Sequence, residues 1–287
     1  MIAVIGEASP RVEDRKFLTG AGKYLDDLEF PDVCHAVFIR SPHAHARILS
    51  LSAAIAKEMP GVLDIITADD VELSKLNALK PFVQEHPNTG EAFSFVEQPL
   101  LARNVVRYQG EPVVLVVAET VAQALDASEV VEIEYSPLPH VVDGKEAASP
   151  DSIKLNSQLD ENIAVKWNTG NSQEIENVFN SADNVVKLTV QNQRIVTNPM
   201  EPRGIVAEWN ISTGRYTLYG SSQNIHVMRT CVADMLGVAE ALVRFIAPDV
   251  GGGFGSKNFC YTEYGLIAWM SKQLRRPVKW LASRSEG

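Results

Sequence analysis

Apolar residues recur along this chain at two periods, and the change of period marks its elements. Short apolar runs bounded by Gly, Pro and Asp predict strands over residues 34–40, 47–51, 62–66, 112–118 and 131–135. The same pattern returns over 185–190, 204–209, 215–219, 242–248 and 278–282. Apolar positions at helical spacing predict helices over 121–130, 225–236 and 261–274, with Gly237 stopping the second. A helix through Lys57 and Glu58 and a polar helix over 172–179 complete the set. Strand 112–118, helix 121–130 and strand 131–135 read as a β-α-β unit. Residues 75–97 are polar and irregular, broken by Pro81, Pro87 and Gly90. Residues 146–166 are polar and rich in turn formers, so a domain boundary is expected there, dividing the chain into 1–148 and 149–287. The fold class is α+β.

One turn stands out against this pattern. Between strand 242–248 and helix 261–274 the chain reads Val250-Gly251-Gly252-Gly253-Phe254-Gly255-Ser256-Lys257, with four glycines in five positions. Glycine strips the Cβ from backbone and lets a ligand approach the main chain. A strand, a glycine turn and a helix together offer bare N–H groups to an anion. The spacing fits neither G-x-G-x-x-G nor G-x-x-x-x-G-K-[ST]. Spacing alone leaves a tight structural turn and a cofactor cradle equally open.

Composition narrows the function classes. The 287 residues are 45% hydrophobic and 22% charged, as in ordinary globular proteins. The net charge of −10 argues against general nucleic-acid binding and weakly against anionic membranes. No apolar run is long enough to span a bilayer, and the first residues lack a signal-peptide pattern, so a cytoplasmic location is expected. Cys34, Cys231 and Cys260 are far apart and form no C-x-x-C pair, which removes zinc and iron–sulfur sites. His43 and His45 have no acidic or cysteine partner nearby, and Pro42 marks a turn, so a metal there is not expected.

Several short motifs then occur in a fixed order. Phe17-Leu18-Thr19-Gly20 and Asp26-Asp27 come first, then Arg40-Ser41-Pro42-His43-Ala44-His45, then Pro60-Gly61-Val62. Gln109-Gly110-Glu111-Pro112 and Glu134-Tyr135-Ser136-Pro137 follow. Pro199-Met200-Glu201-Pro202-Arg203, Ser222-Gln223-Asn224, the glycine run and Arg276-Pro277-Val278-Lys279-Trp280 complete the series. In this order and spacing the chain resembles the molybdenum hydroxylase large subunits, the xanthine dehydrogenase and aldehyde oxidase family. It is most similar to the bacterial branch that includes carbon monoxide dehydrogenase large chains. The resemblance extends over nearly the whole sequence.

The resemblance implies an N-terminal α/β hammerhead domain, followed by the first part of a mixed α/β molybdopterin-binding domain. It implies a molybdenum–molybdopterin cofactor, with the cytosine dinucleotide among its candidate forms. The implied reaction oxidises an aldehyde, an aromatic N-heterocycle or carbon monoxide, taking oxygen from water. Electrons would pass to iron–sulfur clusters and FAD on a small and a medium partner subunit, since this chain carries neither fingerprint. The general-base glutamate of the family is expected in a further C-terminal chain or segment that completes the pocket. The alternative is a non-catalytic scaffold or an inactive fragment of such an enzyme.

Site residues carry over one at a time. Gln223 matches a glutamine whose amide approaches the metal's oxygen without becoming a ligand. Gly252, Gly253, Phe254 and Gly255 match the backbone loop that passes the cofactor, so Gln223 and Phe254 are expected around molybdenum rather than bonded to it. Asn258 falls where purine-oxidising members carry a substrate-holding glutamate, which argues against xanthine-type chemistry. Glu201 and Arg203 are expected as a buried ion pair bracing the loop around Pro199 and Pro202. For Lys257, a phosphate contact and a solvated position at the helix start stay open. The strand at 278–282, close to the end of the sequence, is expected at an unprotected sheet edge, which points to a larger or split polypeptide.

Overall fold

The computed structural model describes residues 6, 8, 10–86, 90 and 92–286. Along the chain the elements run α1 (Asp14–Leu18), β1 (Cys34–Arg40), β2 (Ala46–Ser52), α2 (Ala54–Lys57), β3 (Val62–Ile66), α3 (Ala68–Leu73), β4 (Val105–Val106), β5 (Pro112–Ala118), α4 (Val121–Glu129) and β6 (Glu132–Pro137). They continue with α5 (Gly144–Ala147), α6 (Ser172–Ser181), β7 (Gly204–Asn210), β8 (Arg215–Gly220), α7 (Ile225–Leu236), β9 (Val243–Ile246), α8 (Thr262–Leu274) and β10 (Val278–Leu281). Two compact units result: Met1–Leu79, Gln98–Pro137 and Thr197–Gly287 form the larger, and Lys80–Glu97 with Leu138–Val196 form the smaller.

The larger unit is built on a seven-stranded mixed sheet ordered β3-β5-β1-β10-β7-β8-β9, beside a three-stranded sheet ordered β4-β2-β6. Strand β5 shows why its sequence is a continuous apolar run instead of an alternation. All seven of its residues are buried. Leu115 and Val117 belong to one hydrophobic core, and Val114, Val116 and Ala118 to the other, so both faces of the strand are covered. Helix α8 is likewise buried from Thr262 through Ser271. Helix α7 ends at Gly237 in the left-handed conformation, φ 65°, as its sequence predicts.

Three expectations are corrected. The strand, helix and strand expected over 112–135 are present as β5, α4 and β6, but they do not form a crossover within one sheet. Both edges of β5 are taken, by β3 and β1, and β6 pairs with β2 in the smaller sheet. Strand β10 is not an edge either. It lies between β1, to which it is parallel, and β7, to which it is antiparallel, while β3 and β9 form the edges. Residues 185–190 form no strand, although their apolar alternation suits one. Val186, Leu188 and Val190 are exposed, and no described strand offers a ladder to them.

The smaller unit holds α5 and α6. Asn171 caps α6, accepting from the Glu174 N–H at 3.2 Å. His86 stacks on Trp167 with ring centroids 4.3 Å apart.

Trp280 is 1% exposed and meets Phe38 edge-on at 5.5 Å across the β1–β10 seam. Denaturant unfolding of Trp280→Ala is expected to show a loss of about 3–5 kcal/mol. The same measurement on Ile211→Ser, at an exposed turn, is expected to change by about 0.5 kcal/mol or less.

Candidate functional site

Parallel pairing brings the site together. Strands β8 and β9 run side by side, with Tyr216 opposite Val243 and Tyr219 opposite Ile246, and α7 makes the crossover between them. Both chains therefore leave the sheet at the same end. β8 exits into Ser221-Ser222-Gln223-Asn224, and β9 exits into the glycine run. The carboxyl ends of parallel strands are where open α/β sheets place ligands.

The two exits are stitched to each other. Gln223 N–H donates to the Lys257 carbonyl at 3.0 Å, and the Gly255 N–H donates to Gln223 Oε1 at 3.0 Å. The second bond sets the amide's orientation, because an N–H must face the oxygen. Gln223 Nε2 is left as a donor with no acceptor among the described residues. Asn224 caps α7 through Oδ1, which accepts from the Val227 N–H at 3.3 Å.

Within the run, Gly252 and Gly255 have φ of 93° and 98°, and Phe254 sits in the left-handed region at 50°. Gly253 is required for a different reason. A Cβ there would stand 2.4 Å from Gln223 Oε1 and 2.6 Å from its Cδ, so the amide and the bare backbone occupy touching positions. The N–H groups of Gly252, Gly253 and Phe254 have no acceptor among the described residues. The Phe254 ring is 72% exposed and lies over Gly252, not in the core. Asn258 is exposed, and its N–H donates to the Gly255 carbonyl at 3.1 Å. Gln223, the glycine run and Asn258 thus share one turn-built surface.

Glu201, Arg203 and Lys257 are arranged otherwise than the sequence predicts. Lys257 is neither solvated nor free for a phosphate: its side chain is 0% exposed, and Nζ donates to Glu201 Oε2 at 2.8 Å. Arg203 is not the partner of Glu201. Its guanidinium lies 3.9 Å from the centre of the Tyr261 ring and donates to the Glu286 carbonyl. Burial opposes ionisation of Glu201, yet the donors from Lys257, Ser221, Gly251 and Leu25 outweigh it and hold the carboxyl below its ordinary range. Burial also pushes the Lys257 ammonium below its ordinary value, with Glu201 working against the shift and Arg284 adding to it. The sequence carries no signal for the Glu201–Lys257 pair, whose members are 56 positions apart. His43 packs on Tyr135 at 5.1 Å, and no group of His, Cys, Asp and Glu among the described residues could hold a metal ion.

Comparison with known proteins agrees with this architecture. Residues 19–139 match the aldehyde oxidase and xanthine dehydrogenase a/b hammerhead domain, and residues 155–287 match the molybdopterin cofactor-binding domain. The chain therefore belongs to the xanthine dehydrogenase and aldehyde oxidase family. Within it, the relatives include the nicotine 6-hydroxylase large subunit of Paenarthrobacter nicotinovorans, 38% identical over 99% of this chain and 34% of the relative. The carbon monoxide dehydrogenase large chain of Afipia carboxidovorans is 34% identical over 96% of this chain and 34% of its own length. The crystal structure of quinoline 2-oxidoreductase from Pseudomonas putida 86 superposes with a TM-score of 0.85 at 36% identity, covering 98% of this chain and 35% of that one. The chain spans about a third of the length of these relatives.

Two outcomes follow from the geometry. Gly253→Val is expected to cost about 1–3 kcal/mol through overpacking. In a Gln223→Ala background, which removes the atoms the new side chain meets, most of that cost disappears; a double-mutant cycle by denaturant unfolding measures it. The second outcome concerns pH. Because the folded carboxyl of Glu201 lies below the ordinary 4.5, its contribution to stability is full above that value and is lost as pH falls through the lower folded one. Glu201→Gln is expected to flatten the acid limb of stability against pH, read from unfolding midpoints between neutral pH and the acid transition.

Proposed function

We propose that this chain forms one wall of the molybdopterin site in a molybdenum hydroxylase. Residues 1–148 act as the hammerhead domain, and 149–287 as the first portion of the cofactor-binding domain. The observation that carries the reading is the turn surface at the carboxyl ends of β8 and β9. There the acceptor-less N–H groups of Gly252, Gly253 and Phe254 lie beside the Gln223 amide, in a chain of the molybdopterin-binding family.

These residues suit such a group. A Cβ at position 253 would fill the space against Gln223, so only glycine keeps backbone donors and amide together. Gln223 Nε2 would offer the molybdenum group a neutral donor, and the Gly255 N–H holds the amide with that nitrogen outward. Gly252 and Gly253 offer N–H donors to the cofactor. The exposed Phe254 ring would supply an apolar wall to the bound group. Asn258 gives the substrate a hydrogen-bonding group that neither carries charge nor exchanges a proton at neutral pH, which favours non-purine substrates. When bound, the molybdenum–molybdopterin group supplies the two-electron oxidation of an aldehyde, an aromatic N-heterocycle or carbon monoxide, with water as the source of oxygen.

The rest of the apparatus lies in partners. An iron–sulfur small subunit and an FAD-binding medium subunit take the electrons, and a further molybdopterin-binding chain or segment contributes the general base. The cytosine dinucleotide is the proposed form of the pterin, and the cytoplasm the proposed location. No helix of the described residues is long and apolar enough to cross a membrane.

The test uses the purified heteromeric complex. Stoichiometric molybdenum is expected in the complex and not in this chain by itself. Gln223→Ala is expected to lower turnover per molybdenum by about 10–100-fold, with thermal unfolding little changed. Unchanged turnover at full metal loading would reduce Gln223 to a turn residue, and a complex without molybdenum would overturn the assignment.

A further inference from the structure

Beside Gln223, one further side chain from outside the glycine run bonds both of its ends. Glu201 lies outside the run, between the exposed Met200 and Pro202. Its Oε2 accepts from Lys257 Nζ at 2.8 Å, from Ser221 Oγ at 2.5 Å and from the Gly251 N–H at 2.8 Å, and its Oε1 accepts from the Leu25 N–H at 3.2 Å. The Glu201 N–H in turn donates to the Gly251 carbonyl at 3.3 Å. One carboxylate therefore binds the first residue of the run, the lysine at its far end, and the residue that begins the Gln223 turn.

The contact is close as well as polar. A Cβ at Gly251 would come within 2.5 Å of Glu201 Cβ, so residue 251 must be glycine for the two backbones to meet. Lys257 returns the constraint to the site, since its carbonyl accepts from the Gln223 N–H at 3.0 Å. Between these anchors lie the acceptor-less N–H groups of Gly252, Gly253 and Phe254. A short turn with left-handed residues at 252, 254 and 255 has little packing of its own to define it: both the Phe254 ring and residue 255 are exposed. Alongside the Gln223 amide and the Tyr261 hydroxyl, which donates to the Ser256 carbonyl, charge helps to define it. A neutral group at 201 would leave a buried ammonium at 257 without its counter-ion.

We propose that Glu201 is a positioning residue for the cofactor-facing turn. Its negative charge, acting through Lys257 and Gly251, sets the place of the turn's backbone donors and of Gln223 without touching the cofactor. This rests on the reading of the turn as part of the molybdopterin site.

The experiment compares the wild-type complex with Glu201→Gln, which keeps shape and loses charge, and Lys257→Met, which removes the other half of the pair. Amide hydrogen exchange is read at residues 251–257 and, as an internal control, along β5. Molybdenum content per complex is measured on the same samples. Both variants are expected to speed exchange at 251–257 by more than tenfold, leave β5 unchanged, and lower molybdenum content by more than tenfold. Unchanged exchange at 251–257 overturns the proposal, because the turn then does not depend on the pair. Equal acceleration in β5 also overturns it, since the pair then serves the fold at large. A loosened turn with full molybdenum content overturns the link to the cofactor. Molybdenum in the wild-type complex tests the functional reading separately: its absence there defeats that reading, whatever the variants do.

Discussion

Strand β10 joins what would otherwise be two separate three-stranded pieces, β3-β5-β1 and β7-β8-β9. It pairs Val278 with Cys34 on one side and with Ala207 on the other, so residues far apart in sequence become neighbours in one ladder. Its side chains reinforce the seam. Trp280 is buried against Phe38 of β1, and Lys279 donates to the carboxylate of Asp26 at 2.8 Å. A second link crosses the same seam where Arg40, at the end of β1, pairs with the buried Glu263 of α8 at 2.8 Å. A charge buried like Glu263 is tolerable only with such a partner. The chain before β2 and the chain after β9 are thereby made one hydrophobic unit, and the turns at the ends of β8 and β9 acquire a rigid base.

On that base the site is made from backbone more than from side chains. Short loops leaving parallel strands put N–H groups at one end of a sheet, and glycines keep those groups uncovered. Two kinds of constraint then act on one turn. Sterically, positions 251 and 253 are glycine because Glu201 and Gln223 occupy the space a Cβ would need. Electrostatically, the Glu201–Lys257 pair lies out of water, where a charge interaction is stronger than at a surface and the loss of either partner is costly. The turn thus combines little bulk at its surface with a stiff support behind it.

Much of this was legible in the sequence. Strands 62–66 and 112–118 and helix 225–236 begin and end where their apolar patterns change, because burial of one face or of both sets those patterns locally. The order of the motifs also singled out the glycine run and Gln223, which the structure brings against each other. The segment at 185–190 shows the limit of such patterns. It alternates like a strand but forms none, since a strand exists only where another backbone supplies its ladder. The β-α-β reading of 112–135 failed for a related reason: neighbours on both sides of β5 left no edge for β6.

By itself, then, the sequence determined most of the longer elements, the glycine turn and the chemistry its residue types allow, because these depend on local periodicity and on side-chain identity. The tertiary structure alone decided the pairings. It placed β10 in the middle of the sheet, buried Lys257, and gave Glu201 to Lys257 and Arg203 to Tyr261. Such choices join residues tens to hundreds of positions apart. They are set by which surfaces can be buried together once the sheet has formed, and no window of neighbouring residues contains that information.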